Sequence, residues 1–281
     1  MTAVADSFQE ACAAIARRHD RERYLACLFA PPDRRDSLLA VLAANHEIAK
    51  TAEVVSDPTI GRIRLQWWHE TFDGIEAGRP RIHEVAVPLA QAVSAHGLQL
   101  DRLRAVVDAR EADLDAEPPA TLDDLEAYAR ATAGELHAAL AGILGADPAA
   151  AAEAGTAWGL IGLMRAAPAL IAAGRAPFPT ALLRESGLTH EKIRDALTIR
   201  MLTSAVRPVM QAANRHLLSA RESPGFREPR FRPLRLLADR AAEHAAALAA
   251  VGHEPMELPT AVPAWLAWRY AARMLRYRLG G

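Results

Sequence analysis

Cysteine is almost absent from this chain. Only Cys12 and Cys27 occur in 281 residues, with neither metal-ligand spacing nor a Cys-X-X-Cys pattern, so a disulfide framework and a thiolate metal centre are both excluded. The two read as small buried side chains in a reducing compartment. Charge of one sign is also lacking: 33 Lys and Arg face 34 Asp and Glu, a formal net charge of −1. A general nucleic-acid binder, which must neutralise several phosphates, is thereby excluded. No run near Met1 joins a basic start to an apolar stretch, and uninterrupted apolar runs fall far short of the roughly 20 residues a membrane span needs. The expectation is a soluble or peripherally attached protein. Sustained β-branched alternation is missing and glycine is sparse within the periodic segments, whereas alanine is abundant, which leaves the all-α class. No composition break divides the chain, so residues 1–281 are expected to form one domain around one large core.

What is present centres on Leu38 to Gly78, which reads as two helices joined by a turn at Ser56-Asp57-Pro58 and Gly61. In the first, Leu38, Leu42, Ala49 and Ala52 recur at helical spacing, with Asn45, His46, Glu47, Lys50 and Glu53 among them. Polar groups therefore lie on or beside an inward face. The second carries Leu65, Trp67, Trp68, Phe72 and Ile75, a large aromatic content for a chain that is 5% aromatic.

The run LFAPPDRRDSLLAVLAANHEIA followed by IRLQWWHETFDG resembles the squalene/phytoene synthase family in order and spacing. The resemblance extends from about Tyr24 to Tyr277 and implies the isoprenoid synthase fold, an all-α bundle around a central cavity. In active members two aspartates four residues apart hold Mg²⁺ against a substrate diphosphate, because positions i and i+4 share a helix face and Mg²⁺ takes hard oxygen ligands. Here those positions are Ala49 and Glu53, and Lys50 adds a positive charge where a dication would sit. A second aspartate pair is expected in GTAWGLIGLMRAAPALIAAGRAPFP, where it falls on Ala166 and Leu170. The family's glutamine and asparagine become Gly159 and Gly162, and Arg165 alone survives. Without any alignment, no Asp or Glu occurs between Glu153 and Glu185, so this helix offers no carboxylate to a metal cluster. Pro168 is expected to kink or end it.

Arg23, Tyr24, Arg165 and Arg175 are the residues left to meet a diphosphate or other anion, the bland reading of Arg23 being a solvated basic face. Asn45, His46, Lys50, Tyr128, Gly134, Gly159 and Gly162 are the cavity-lining candidates that the resemblance implies. Asp108, Glu111 and Asp115 stand at i, i+3 and i+7, share a face only if the helix persists that far, and are read as solvated acids.

Around these, helices are expected over Asp6 to Leu28, His83 to His96, Leu100 to Leu114, Thr121 to Leu144 with a capping box at its start, Ala149 to Ala173, Glu191 to Ala220 and Leu236 to Val251. An arginine- and proline-rich connector, Arg221 to Arg235, reads as a solvated loop. Residues 260–281 read as a basic amphipathic helix, with Arg269, Arg273 and Arg276 on one stripe and Leu266, Tyr270, Met274 and Tyr277 on another. It either lies on a membrane or packs on the core.

Within the family, the turn VVSDPTIG, the following IRLQWW and the LMRAAP sequence resemble the complex I assembly factors numbered six in the mitochondrial series. That resemblance implies a pseudoenzyme without a cofactor that assists assembly of the NADH:quinone oxidoreductase, in the bacterial cytoplasm or peripherally on the inner membrane. The alternatives are a Mg²⁺-dependent head-to-head prenyltransferase of isoprenoid biosynthesis and a carrier holding a prenyl lipid or quinone in its cavity.

Overall fold

The computed structural model describes residues 2–115, 117–175, 177–189, 192–194, 199–258 and 261–279, and among them there is no β-strand. The helices are α1 (Thr2–His19), α2 (Arg21–Cys27), α3 (Pro32–Ala49), α4 (Thr51–Val54), α5 (Pro58–Glu76), α6 (Ala86–His96), α7 (Leu100–Arg110), α8 (Leu122–Ala129), α9 (Glu135–Leu144), α10 (Pro148–Ala172), α11 (Thr180–Glu185), α12 (Ile199–Glu222), α13 (Arg232–Ala250) and α14 (Leu266–Arg278).

At the centre runs α10, which packs against α8, α9, α12 and α13. Its buried positions Ala154, Ala157, Leu160, Ile161, Met164 and Ala167 recur at helical spacing. By length and composition it would also be apolar enough to cross a membrane, a property that a search for uninterrupted apolar runs misses because Thr156 and Arg165 break the run. Its small residues allow close approach. A Cβ on Gly155 would overlap the Ala133 carbonyl, and one on Gly134 would stand 2.9 Å from Thr156 Oγ1. Arg130–Gly134, facing this seam, is a π-helical turn between α8 and α9, so the helix expected from Thr121 to Leu144 is continuous but locally widened. Its start is the expected capping box of Thr121 and Asp124.

Four expectations are corrected. The helix expected from Asp6 to Leu28 breaks at Asp20, whose carboxylate accepts from the Arg23 backbone N–H and so starts α2 as an N-cap. Of the two outcomes expected at Pro168, a kink or an end, the end does not occur: α10 continues to Ala172, and Ile171 beyond the proline packs on the core. In the helix expected over Glu191 to Ala220, Lys192–Arg194 is instead a 3₁₀ turn, residues 191 and 195–198 lie outside the described residues, and α12 runs from Ile199. The arginine-rich connector is docked. Phe226 and Phe231 are buried within it, Arg230 donates to the Gly145 carbonyl, Arg232 donates to the Tyr277 carbonyl, and Arg235 lies over the Tyr277 ring at 4.0 Å. Cys12 and Cys27 are buried free thiols, and burial pushes both up to about 12, leaving them protonated and unreactive.

Candidate functional site

The end of α3 is where the resemblance places the first metal ligands. Ala49 closes α3, Lys50 caps it, and Glu53 projects from the single turn of α4 into solvent. Lys50 is held by Glu47 at i−3. His46 is half-buried and stacks on His19 at 3.9 Å; burial first, and then His19, lower its pKa. Asn45 is half-buried beside it. On α10, Ala166 is exposed and Leu170 half-buried, on either side of Pro168.

These residues do not fit a Mg²⁺ cluster. Of four ligand positions only Glu53 bears an oxygen donor, and the nearest charged neighbours in sequence are already an ion pair. Among the described residues no three His, Cys, Asp or Glu side chains converge as metal ligands. Asp108 is engaged by His69 at 3.0 Å and Asp115 by Arg62 at 2.9 Å.

A second constellation lies inside the bundle, where α2, α10, α13 and α14 meet. Glu22 is buried. Its carboxylate accepts from Arg240 Nη2 at 2.7 Å and from His244 Nε2 at 2.9 Å, with Arg165 at 3.8 Å. Burial alone would raise the Glu22 pKa, but the hydrogen bond and charge of its partners, His244 foremost, bring it down to about 2. For His244 burial is the largest cause and lowers the pKa, with the hydrogen bond to Glu22 opposing it. Arg240 also reaches Glu243 at 2.9 Å, and Glu243 holds Arg269 and Arg273 of α14. Two carboxylates, Glu22 and Glu243, thus face four guanidinium groups, those of Arg165, Arg240, Arg269 and Arg273. The cation left least compensated is Arg165, which is lowered by burial first, with Glu22 opposing and Arg240 adding to the effect.

Next to this network Arg23 is buried rather than solvated, which corrects the bland reading. The Asp20 carboxylate holds its Nη1 at 2.8 Å, its Nε donates to His137 Nε2 at 3.0 Å, and its guanidinium stacks 5.0 Å from the centre of Trp158. His137 therefore accepts at Nε2 and carries its proton on Nδ1, which finds no partner. Burial, then Arg23, pushes the His137 pKa well down. Trp158 stands 6.1 Å from both His137 and His244 and joins the two halves of the constellation.

Of the four anion-binding candidates the structure brings Arg23 and Arg165 to this network, while Tyr24 is half-buried on α2. Arg175 belongs elsewhere. It contacts Asp113 at 3.1 Å, within a group in which the Tyr128 hydroxyl donates to Asp113 at 2.8 Å and Arg110 donates to both. Gly159 packs against Ala133, its Cβ position 3.0 Å from the alanine methyl, whereas Gly162 faces open space. A small hollow beside Cys27, Leu38, Leu140 and Leu237 measures about 10 Å³, and an open groove of about 570 Å³ is lined by Glu76, Leu98, Gln99 and Arg102. Neither is lined by Asn45, His46, Lys50, Tyr128, Gly134, Gly159 or Gly162.

Glu22, His137, Trp158, Arg240, Glu243 and His244 were not singled out by sequence. One signal was available. Arg240, Glu243 and His244 stand at i, i+3 and i+4 in an otherwise alanine- and leucine-rich helix, which places three polar groups on a face that packing must cover.

The architecture defines the class: an all-α bundle of the isoprenoid synthase type. A crystallised dehydrosqualene synthase matches with a TM-score of 0.82 at 16% identity, over 99% of this chain and 98% of that one. The squalene synthase HpnC from Alicyclobacillus acidocaldarius matches with a TM-score of 0.78 at 21% identity, over 89% of this chain and 96% of that one. The family model for squalene/phytoene synthase matches residues 16–274, and the chain belongs to that family. Among curated proteins it is similar to the "NADH dehydrogenase (ubiquinone) complex I, assembly factor 6" of Bos taurus, 33% identical over 215 residues, and of Homo sapiens, 31% identical over 215 residues. Each match covers 75% of this chain, which spans 64% of the length of those relatives.

Proposed function

We propose that this protein is a catalytically degenerate family member that works without a metal cofactor in assembly of the NADH:quinone oxidoreductase, at the cytoplasmic face of a bacterial inner membrane. The observation that carries the reading is the donor set: Ala49, Ala166 and Leu170 stand at three of the four ligand positions, so the electrophilic help that metals give a departing diphosphate has no protein ligands to hold it. The names of the curated relatives support the assembly role, and subunits or intermediates of that complex are the partners it implies. Deleting the gene and resolving membranes on a native gel is the test. Loss of the assembled complex, restored by the wild-type copy, is expected; an unchanged level overturns the reading. Formation of a C30 or C40 hydrocarbon from prenyl diphosphates and Mg²⁺ by the purified protein would overturn the catalytic part.

A second reading is favoured by the excess of guanidinium groups over carboxylates around Glu22. Arg23 and Arg165 then hold the diphosphate of a prenyl ligand, in an enzyme or a carrier. Calorimetry with a prenyl diphosphate analogue tests it, and absence of heat with and without Mg²⁺ defeats it.

A further inference from the structure

The face of α14 that was read from sequence as apolar is not free: Leu266, Tyr270, Met274 and Tyr277 are all buried. A different stripe is exposed. Trp265 is 49% exposed, Trp268 80%, Leu275 60% and Leu279 80%. With the exposed Ala272, these fall at spacings of 3, 4, 3 and 4 residues, one line along a helix and its first residues on either side. Two tryptophans and two leucines aligned on a solvent-facing surface form a patch, not scattered exposure.

The surroundings of the stripe select what covers it. On a helical projection Arg269 and Arg276 flank it on one side and Arg278 on the other. No Asp or Glu occurs from Leu258 to Gly281. Arg269 leans on Trp265 at 5.3 Å and reaches Glu243, while Arg276 and Arg278 form no ion pair among the described residues. Tryptophan at the level of lipid headgroups, aliphatic side chains beneath it and arginines at the margins is the chemistry of a helix lying in the plane of an anionic bilayer surface. The helix is rigidly presented for this, because its opposite face is anchored by Tyr270 in the core and by Arg273 on Glu243.

We propose that the Trp265, Trp268, Leu275 and Leu279 face of α14 docks the protein onto the surface of an anionic phospholipid membrane. The inference rests on the geometry of α14 alone, so vesicle binding and complex I assembly succeed or fail separately. The test is flotation of the full chain with vesicles of phosphatidylcholine alone and of equal parts phosphatidylcholine and phosphatidylglycerol, at low and high salt. Binding is expected to the anionic vesicles and to weaken with salt. The W268S/L275S variant, altered only at exposed positions and checked for an unchanged melting temperature, is expected to lose binding by about tenfold or more. R276E/R278E is expected to lose about tenfold on anionic vesicles. The proposal is overturned if the wild type floats with neither vesicle, if W268S/L275S floats as well as the wild type, or if phosphatidylglycerol makes no difference. It is likewise overturned if the wild type is a dimer that W268S/L275S converts to a monomer without any vesicle binding, which would assign the face to a second copy.

Discussion

The end of α3 and the interior around Glu22 are the two places where this bundle gathers charge, and they have opposite characters. At the end of α3 the charges sit at the rim: Glu53 is exposed, and Lys50 pairs with its own helical neighbour Glu47. In the interior, Glu22 on a seven-residue helix is matched by Arg240 and His244 from more than 200 positions away. At the rim only Glu53 offers a carboxylate at the four positions where the resemblance places metal ligands. The interior, by contrast, carries a carboxylate of its own among arginines and so neutralises part of its positive charge from within the chain. Pairs at a rim contribute little, whereas a buried network penalises the removal of any one member.

The largest effect expected from breaking this contrast is therefore at Glu22. Glu22→Ala strands Arg240 and Arg165 without their carboxylate and should cost about 3 to 5 kcal/mol in chemical denaturation. The sign of its pH dependence is fixed by the lowered pKa. Stability contributed by Glu22 is complete above its ordinary value of 4.5 and is lost as pH falls toward about 2. Glu22→Gln should remove that acid-dependent part, so its stability relative to the wild type should narrow across this window in urea melts.

Next comes the seam beneath the network. Gly155→Val drives a side chain into the Ala133 carbonyl and the His137 Cβ, and should cost about 1 to 3 kcal/mol or displace the π-helical turn. A shifted melting temperature with unchanged far-UV helicity would check it. A smaller effect is expected at the two buried histidines. His137 and His244 both have folded pKa values below the ordinary 6.5, so the unfolded chain binds their protons first and stability should decline as pH drops below about 6.5. His137→Leu should flatten this decline, even though it leaves Arg23 Nε without an acceptor. The smallest effect is at the rim: Lys50→Ala removes a half-exposed pair and should change stability by less than about 1 kcal/mol. A larger loss there would mean that the rim is as tightly coupled as the interior.

Much of the fold was legible in local chemistry. Gly97 adopts the left-handed conformation that ends α6, as its position after the last periodic residue predicts. Thr121 and Asp124 make their capping box. Each of these signals lies within four residues of its effect. The candidate site was read unevenly for the same reason. The absence of acids from α10 needs no neighbours to be seen, but the partner of Arg23 does: a basic run with alternating faces reads as solvated until α9 and α10 bring His137 and Trp158 over it. For α14 the expected apolar stripe is the buried one, but whether a membrane or the core covers it was left open by the sequence and is decided only by packing on α13 and α2.

By itself, then, the sequence determined most of the helices and the all-α class, because these follow from periodicity and from residue identity at single positions. The tertiary structure alone decided that Glu22 neutralises arginines inside the bundle, that Arg175 stands apart from Arg165, and which face of α14 meets solvent. Those outcomes depend on which distant helices are apposed, and the free energy of a buried charge is set by neighbours that the local sequence does not contain.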